Sequence, residues 1–277
     1  MRILVVGSSG FLGSRIINRL KEIGHEAIET SRDDTNGKLQ IRTWDPLPIN
    51  ELGIDLVINA SGYYRKDNLN LKTMFDSNLG ICNSIARSLD NVGLGVINLG
   101  SYFELPHKSQ AVNSMSYTIS KRLGTSILES YSTLYYKRFT QVILYDNYDA
   151  DLSRGKILDR LIASAISGEE LEISNIKSKI NLLHVSAVID GIVKIVQSYQ
   201  TSNPIEQRVD LMSVEPVTIQ EIMFKVESSL GKEIRYRDKS LELDLNLQSL
   251  LVGNSYMLEN LVSEFDLDGF LGSINKL

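Results

Sequence analysis

Short apolar runs alternate with amphipathic stretches over the first half of the chain. Ile3 to Val6 is a continuous apolar run, as expected of a strand covered on both faces. Phe11, Leu12, Ile16, Ile17, Leu20 and Ile23 then recur at helical spacing, and Gly24 can close that helix. Glu26 to Glu29 reads as a second strand, Leu39 to Trp44 as a third and Asp55 to Asn59 as a buried fourth. Leu71, Met74, Phe75, Leu79, Cys82, Ile85, Ala86 and Leu89 mark a long amphipathic helix. Gly95 to Leu99 is again strand-like, Tyr117 to Tyr135 helical, and Thr140 to Leu144 a further strand.

Strands alternating with helices predict an α/β protein with a doubly wound parallel sheet of the Rossmann type. After Leu144 the pattern loosens, with helices expected over Ile157 to Ile166 and Val188 to Val196 and breaks at Pro204 and Pro216. Thr218 is positioned to cap a helix over Ile219 to Leu230, with Glu221 at the capping-box offset. The expected division is a dinucleotide-binding domain over 1–145, with 182–200 returning to it, and a smaller substrate-binding lobe over 146–277.

The chain has 277 residues, 43% of them hydrophobic, which is enough for a large core without covalent staples. Cys82 is the single cysteine and has no disulfide partner within the chain. The net charge of −5 argues against broad binding to nucleic acid. No apolar segment reaches membrane-spanning length, and the first apolar run is too short for a signal peptide. The expectation is a soluble cytoplasmic protein. His25, His107 and His184 show no metal spacing, so no metal site is expected.

Two motifs carry the candidate chemistry. The first is Gly7-Ser8-Ser9-Gly10-Phe11-Leu12-Gly13, between the first strand and its helix. Gly7 allows a tight turn, Gly10 lets the backbone approach a pyrophosphate, and Gly13 lets the helix pack on the sheet. Ser8 and Ser9 either donate to phosphate oxygens or simply turn the chain. The second is Tyr117-Thr-Ile-Ser-Lys121, which places a phenol and an ammonium one helical turn apart. A phenol ionises only near pH ~10, and an ammonium beside it stabilises the phenolate. Ser101 lies just past a strand end, at the carboxyl edge where sites form in open α/β sheets. Its hydroxyl can hydrogen-bond a substrate carbonyl.

With these motifs in order, the chain resembles the extended short-chain dehydrogenase/reductase family. The match runs through Gly7, Gly10 and Gly13, then Asn59-Ala60-Ser61-Gly62, Asn78, Ser101, Tyr117 and Lys121. Within it the chain is similar to nucleotide-sugar 4-ketoreductases of the CDP-paratose/CDP-abequose synthase type, through Ile97 to Ser101, the short spacer to Tyr117, and Leu144 to Tyr148. The resemblance implies a cofactor site at Gly7, Ser9, Gly10, Phe11, Leu12, Gly13, Ser31, Arg32, Asn59, Ala60, Ser61, Tyr117 and Lys121. It implies Ser101, Tyr117 and Lys121 as the catalytic set, and substrate contacts from Tyr63, Tyr102, Asn147 and Lys179.

Ser31 falls where NAD-binding members often carry Asp, and Arg32 follows it, a pairing that suits the 2′-phosphate of NADP(H). Asp33 and Asp34 leave NAD(H) open. The residues Tyr63, Tyr64 and Arg65 stand after the fourth strand, where sugar contact and surface packing are both open. His107 either lines the pocket or is an ordinary loop histidine. The family's Arg before its Asn/Asp-x-Tyr-Gly-Pro turn is Ile143 here, Gly-Pro is Asp149-Ala150, and Lys179 stands near an Arg that often meets the substrate diphosphate.

The resemblance therefore implies an NADPH-dependent reductase of a nucleotide-linked 4-keto-6-deoxy sugar, including 3,6-dideoxy sugars. The alternatives are an epimerase or dehydratase of the same superfamily, or a non-catalytic dinucleotide-binding sensor or scaffold. Dehydratases of the superfamily place Asp-Glu directly after the Ser/Thr, whereas Tyr102 and Phe103 follow Ser101 and Glu104 comes one position later. The expected partner is the nucleotide sugar, and a homodimer stays open.

Overall fold

The computed structural model describes residues 1–33, 37–64, 70–89, 94–105, 112–134, 138–201, 207–238 and 267–274, without the side chains of 112–114. Asp34, Arg65, His107, Tyr135 and Pro204 lie outside these residues. The described chain forms two compact units, Met1–Leu144 with Ile189–Leu211, and Tyr145–Val188 with Met212–Leu277.

The first unit is built on a parallel sheet. Its strands are β1 (Arg2–Val6), β2 (Glu26–Ser31), β3 (Leu39–Gln40), β4 (Leu56–Asn59), β5 (Gly95–Ser101) and β6 (Arg138–Leu144), and a late strand, Arg208–Leu211, is added beside β6. The spatial order runs from the late strand through β6, β5, β4, β1 and β2 to β3. All pairs are parallel. The chain direction across the sheet therefore reverses between β1 and β4, the switch point at which open α/β sheets form their crevice.

Apolar runs rather than alternation mark these strands because both faces are covered. On one face Leu4, Val6, Val57 and Val96 pack with Ile85, Leu89 and Leu128. On the other, α1 (Phe11–Glu22) turns Ile16, Ile17 and Leu20 inward. Gly24 closes α1 with φ +86°, and His25 N–H reaches back to the Leu20 carbonyl. Tyr199, near the end of a later helix, seals the sheet: its ring occupies the space a side chain at Gly95 would need, and its hydroxyl donates to the Val96 carbonyl at 3.1 Å.

Two elements differ from the expectation. The strand predicted over Leu39 to Trp44 stops at Gln40. Trp44 has φ +73°, which no strand accommodates. Tertiary contacts hold it there: Nε1 donates to Asp76 Oδ1 at 2.9 Å, Arg87 donates to its carbonyl at 2.7 Å, and its ring fills the space beside Gly80. The helix predicted over Leu71 to Leu89 is broken into α2 (Leu71–Phe75), a π-helical turn (Asp76–Gly80) and α3 (Ile81–Arg87). The inserted residue of a π turn shifts the helix face, a device frequent at functional sites. Here the turn holds Asn78. Against it packs α4 (Val112–Leu134), where Gly124 leaves room for the Asn78 carbonyl and the Cys82 sulfur.

The second unit contains β7 (Asp146–Tyr148), α5 (Ile157–Ser167), β8 (Leu171–Ile173), β9 (Lys179–Ile180) and β10 (Leu182–His184). The helix α6 (Val185–Gln200) continues into the first unit, ahead of its late strand, β11 (Arg208–Leu211). The second unit resumes with β12 (Val217–Thr218), α7 (Ile219–Leu230), β13 (Tyr236–Asp238) and α8 (Leu267–Ile274). Its core joins Tyr148, Leu158, Ile162, Ile222, Val226 and Leu271. The capping box read from sequence is present: Thr218 Oγ accepts the Glu221 N–H at 3.1 Å, and Glu221 Oε2 accepts the Thr218 N–H at 2.6 Å. Among the described residues no helix is long and apolar enough to cross a membrane.

Candidate active site

The glycine-rich loop lies at the switch point. Gly7 has φ +83°, and a Cβ there would stand 2.8 Å from the backbone nitrogen of Ser61, so only glycine lets the loops after β1 and β4 meet. A Cβ at Gly13 would strike the Gly7 carbonyl. Gly10 is the N-cap of α1 and contributes no side-chain cap, and the first helical turn carries no acidic residue. A helix N-terminus of this kind favours an anion.

Ser8 and Ser9 take different roles. Ser8 is 2% exposed; its Oγ donates to the Thr30 carbonyl and accepts the Thr30 N–H, both at 2.9 Å. Its hydroxyl is thereby occupied within the fold. Thr30, missed in the sequence, ties the loop to β2 a second time through Oγ1, which accepts the Gly7 N–H at 3.2 Å. Ser9 lines a cleft of about 190 Å³ with Gly7, Gly10, Ser31, Arg32, Ala60 and Ser61. Phe11 and Leu12 begin α1, and the guanidinium of Arg15 lies 4.0 Å over the Phe11 ring. Ser31 Oγ accepts the Asp33 N–H at 3.2 Å, and Arg32 is exposed at the cleft.

Asn59 is fully buried at the end of β4. Its Oδ1 accepts the Ser61 hydroxyl at 2.5 Å and the Ser61 N–H at 3.2 Å, fixing the turn into Ala60 and Ser61. Its Nδ2 also reaches Cys82 Sγ at 3.4 Å, and burial pushes that thiol up to about 11. Cys82 is thus a neutral packing group.

Ser101 ends β5 and N-caps a single turn, Tyr102–Glu104. Its Oγ accepts the Phe103 N–H at 3.4 Å, while Glu104 Oε1 accepts the Ser101 N–H at 2.8 Å. Lys121 is 5% exposed and donates from Nζ to the Leu99 carbonyl at 2.8 Å, two residues before Ser101. One turn earlier on α4, Tyr117 meets Tyr64 edge-on at 4.9 Å and Phe103 at 5.9 Å; Tyr102 stacks on Phe103 at 4.4 Å. Main-chain positions near the phenol are also fixed. Asn78 holds Tyr63 and donates to Ser120 Oγ at 2.9 Å, and Ser120 donates to the Tyr117 carbonyl at 2.8 Å.

In the second unit, Asn147 is 8% exposed and both ends of its amide are engaged: Oδ1 accepts from Arg154 at 2.8 Å, and Nδ2 donates to the Tyr145 carbonyl at 3.4 Å. Lys179 is half-buried on β9, which pairs antiparallel with β12. Among the described residues no group of three or more His, Cys, Asp or Glu could hold a metal ion.

A family model described as the NAD dependent epimerase/dehydratase family matches residues 3–207. The chain belongs to that family. It is an NAD(P)-dependent enzyme of the extended short-chain dehydrogenase/reductase type. Among curated proteins, a CDP-abequose synthase of Yersinia pseudotuberculosis is 34% identical over 212 residues, covering 72% of this chain and 74% of the relative. Among solved structures, MoeE5 in complex with UDP-glucose and NAD has a TM-score of 0.73 at 14% identity, covering 100% of this chain and 98% of that one. A dTDP-4-dehydrorhamnose reductase of Clostridium acetobutylicum has a TM-score of 0.67 at 16% identity, covering 87% and 86%. A UDP-glucuronic acid 4-epimerase of Bacillus cereus, in complex with UDP-glucuronic acid and NAD, has a TM-score of 0.70 at 17% identity, covering 87% and 86%. At these identities the structures establish the shared fold.

Within this family member, sequence reading missed Asn98, Gln141 and Glu104 as site-supporting groups. The available signal was a polar residue inside an otherwise apolar strand, at Asn98 on β5 and Gln141 on β6. Both are nearly fully buried.

Proposed function

We propose that the protein uses NADPH to reduce the C4 keto group of a nucleotide-linked 4-keto-6-deoxyhexose, 3,6-dideoxy sugars included, in deoxysugar biosynthesis. The observation that carries this reading is the grouping of Ser101, Tyr117 and Lys121 at the carboxyl end of β5, with the ammonium buried on the Leu99 carbonyl. In it the Ser101 hydroxyl orients the carbonyl oxygen, Tyr117 donates the proton to that oxygen, and Lys121 keeps the phenol poised and binds the nicotinamide ribose. The nicotinamide, when bound, supplies the hydride. The identity to a CDP-abequose synthase supports a sugar nucleotide as substrate.

The glycine cradle, the uncapped α1 N-terminus and the cleft at the switch point fit a dinucleotide's pyrophosphate. Ser31 and Arg32 at one end of that cleft favour the 2′-phosphate of NADP(H). The second unit takes the nucleotide, with Lys179 the candidate partner of the diphosphate. Asn147 contributes by orienting Arg154, since its own amide is engaged.

The test is a panel of CDP-, dTDP- and GDP-linked 4-keto-6-deoxy sugars followed by NADPH absorbance. Oxidation of NADPH with at least one member is expected. No oxidation with any member, under conditions where the protein binds NADPH, overturns the reading.

A further inference from the structure

Three amide side chains lie abreast inside the sheet. Asn59 on β4, Asn98 on β5 and Gln141 on β6 are direct register partners. They are 0%, 1% and 7% exposed. Each is bonded to the next: Asn59 Nδ2 donates to Asn98 Oδ1 at 2.8 Å, and Asn98 Nδ2 donates to Gln141 Oε1 at 2.7 Å. Gln141 Nε2 in turn donates to Glu104 Oε2 at 3.4 Å. At the opposite end Ser61, in the cleft wall, donates to Asn59 Oδ1 through both its hydroxyl, at 2.5 Å, and its N–H. Among the described residues the other acceptor near that hydroxyl, the Ser77 carbonyl, lies farther off at 3.4 Å.

Every bond in this chain runs the same way, from Ser61 to Glu104. The two ends dictate that sense. A backbone N–H can only donate and a carboxylate can only accept, so no amide between them can be turned without setting donor against donor. Glu104 is fully engaged. Oε1 takes the Ser101 N–H at 2.8 Å, and Oε2 takes the Thr125 hydroxyl at 2.7 Å as well as Gln141. Buried hydrogen-bond chains of this kind polarise one another and penalise a reversed member.

We propose that Glu104 is a positioning residue. It holds the main chain at Ser101, and through the Gln141–Asn98–Asn59 row it commits the Ser61 hydroxyl hydrogen inward. Ser61 then presents only lone pairs to the dinucleotide cleft, so it takes a hydroxyl donor such as a ribose and gives no proton to a phosphate. The link to catalysis rests on the reading of Ser101 as the carbonyl-orienting group. The same geometry assigns Glu104 no role as a general acid, because both carboxylate oxygens are taken up by protein donors.

Glu104→Gln tests this, because an amide accepts at only one of the positions where the carboxylate accepts at two. Whichever way the new amide turns, one donor meets Ser101 N–H or Gln141 Nε2. Adding Gln141→Glu restores an acceptor to both Asn98 and the new amide. In the single variant, hydrogen exchange at whichever donor is left unpaired, the Ser101 amide or the Gln141 side-chain amide, should quicken roughly tenfold or more, the equivalent of one lost bond to a charged group. Turnover of the 4-keto substrate should fall by a similar factor, and KM for NADPH should rise as the Ser61 hydroxyl loses its fixed orientation. The double variant should recover most of each.

Unchanged exchange at both the Ser101 amide and the Gln141 side chain in the single variant, or a double variant no better than the single, overturns the assignment. So does exchange that recovers in the double variant while turnover stays abolished, since Glu104 would then be the general acid itself. If the single variant does not fold, a folded double variant with near-normal exchange at Ser101 reports the same coupling, and an unfolded double variant overturns it. A protein that reduces none of the 4-keto substrates removes the reductase reading. The exchange measurement needs no substrate and still decides the position of Glu104.

Discussion

Asn78 grips both main-chain groups of Tyr63: its Oδ1 accepts the Tyr63 N–H at 2.9 Å, and its Nδ2 donates to the Tyr63 carbonyl at 3.2 Å. The same Nδ2 reaches Ser120 Oγ, which is bonded to the carbonyl of Tyr117. One buried amide thus joins the loop after β4 to the helix that carries the phenol. The π turn places it there, and Gly124 lets α4 come close enough to be reached.

Asn78→Leu should therefore cost far more than an average buried substitution. It strands the Tyr63 N–H and C=O and removes the donor to Ser120 Oγ, and each buried polar group left unsatisfied costs about 1–3 kcal/mol. A loss of roughly 3 kcal/mol or more in urea unfolding is expected on that basis. Asn78→Asp keeps the acceptor but not the donor and should fall between the two. A loss below about 1 kcal/mol for the leucine variant would show that water replaces the amide.

Tyr117→Phe removes one hydroxyl and leaves the ring contacts with Tyr64 and Phe103 in place. Turnover should drop by about two to four orders of magnitude, the usual worth of a positioned proton donor. Cofactor affinity and the melting temperature should change little. Steady-state rates with calorimetric NADPH titration check both; near-normal reduction by the variant would remove Tyr117 from the chemistry.

Much of the dinucleotide fold is legible because its signals are local. Both-face burial turns β1 and β4 into unbroken apolar runs, and Gly10 and Gly13 report contacts made with Gly7 within two turns of chain, although Gly7 itself also answers to Ser61. Thr218 and Glu221 announce their helix because a capping box lies within four residues. The remainder is non-local. The strained Trp44 is set by Asp76, Arg87 and Gly80, which lie far along the chain. The π turn escapes periodicity, since one inserted residue leaves the apolar positions on either side still spaced as helices. Asn98 and Gln141 look like stray polar residues until the register shows them abreast of Asn59. Glu104, read from sequence only as a carboxyl one position too late, proves to be bonded to the Ser101 N–H.

Arg32→Ala tests cofactor choice. Arg32 is exposed and lines the cleft. If its guanidinium pairs with the 2′-phosphate, the variant loses a charge-assisted bond worth about 1.5–3 kcal/mol, or roughly 10- to 150-fold in NADPH affinity. NADH binding should be nearly unaffected. Equal losses for both cofactors, or tighter NADH than NADPH in the unmutated protein, would assign the site to NAD.

The last prediction separates a reductase from an epimerase or dehydratase on the same fold. Water loss from a sugar needs a carboxyl within hydrogen-bond reach of the substrate's proton. The positions directly after Ser101 hold Tyr102 and Phe103, which stack on each other, and the Glu104 carboxylate is bonded to Ser101, Gln141 and Thr125. No acid is left there to protonate a departing hydroxyl. Epimerases and dehydratases also return the hydride to their sugar, which calls for a cofactor that stays bound, whereas a reductase must exchange its cofactor every cycle. The purified protein should therefore carry no tightly held NAD. It should bind NADPH reversibly and oxidise one equivalent for each sugar nucleotide converted. Product quantified by chromatography against NADPH absorbance gives the ratio directly. Conversion of sugar nucleotide with no net consumption of NADPH, or stoichiometric NAD released on denaturing the purified protein, would move the enzyme to the epimerase and dehydratase side of its family.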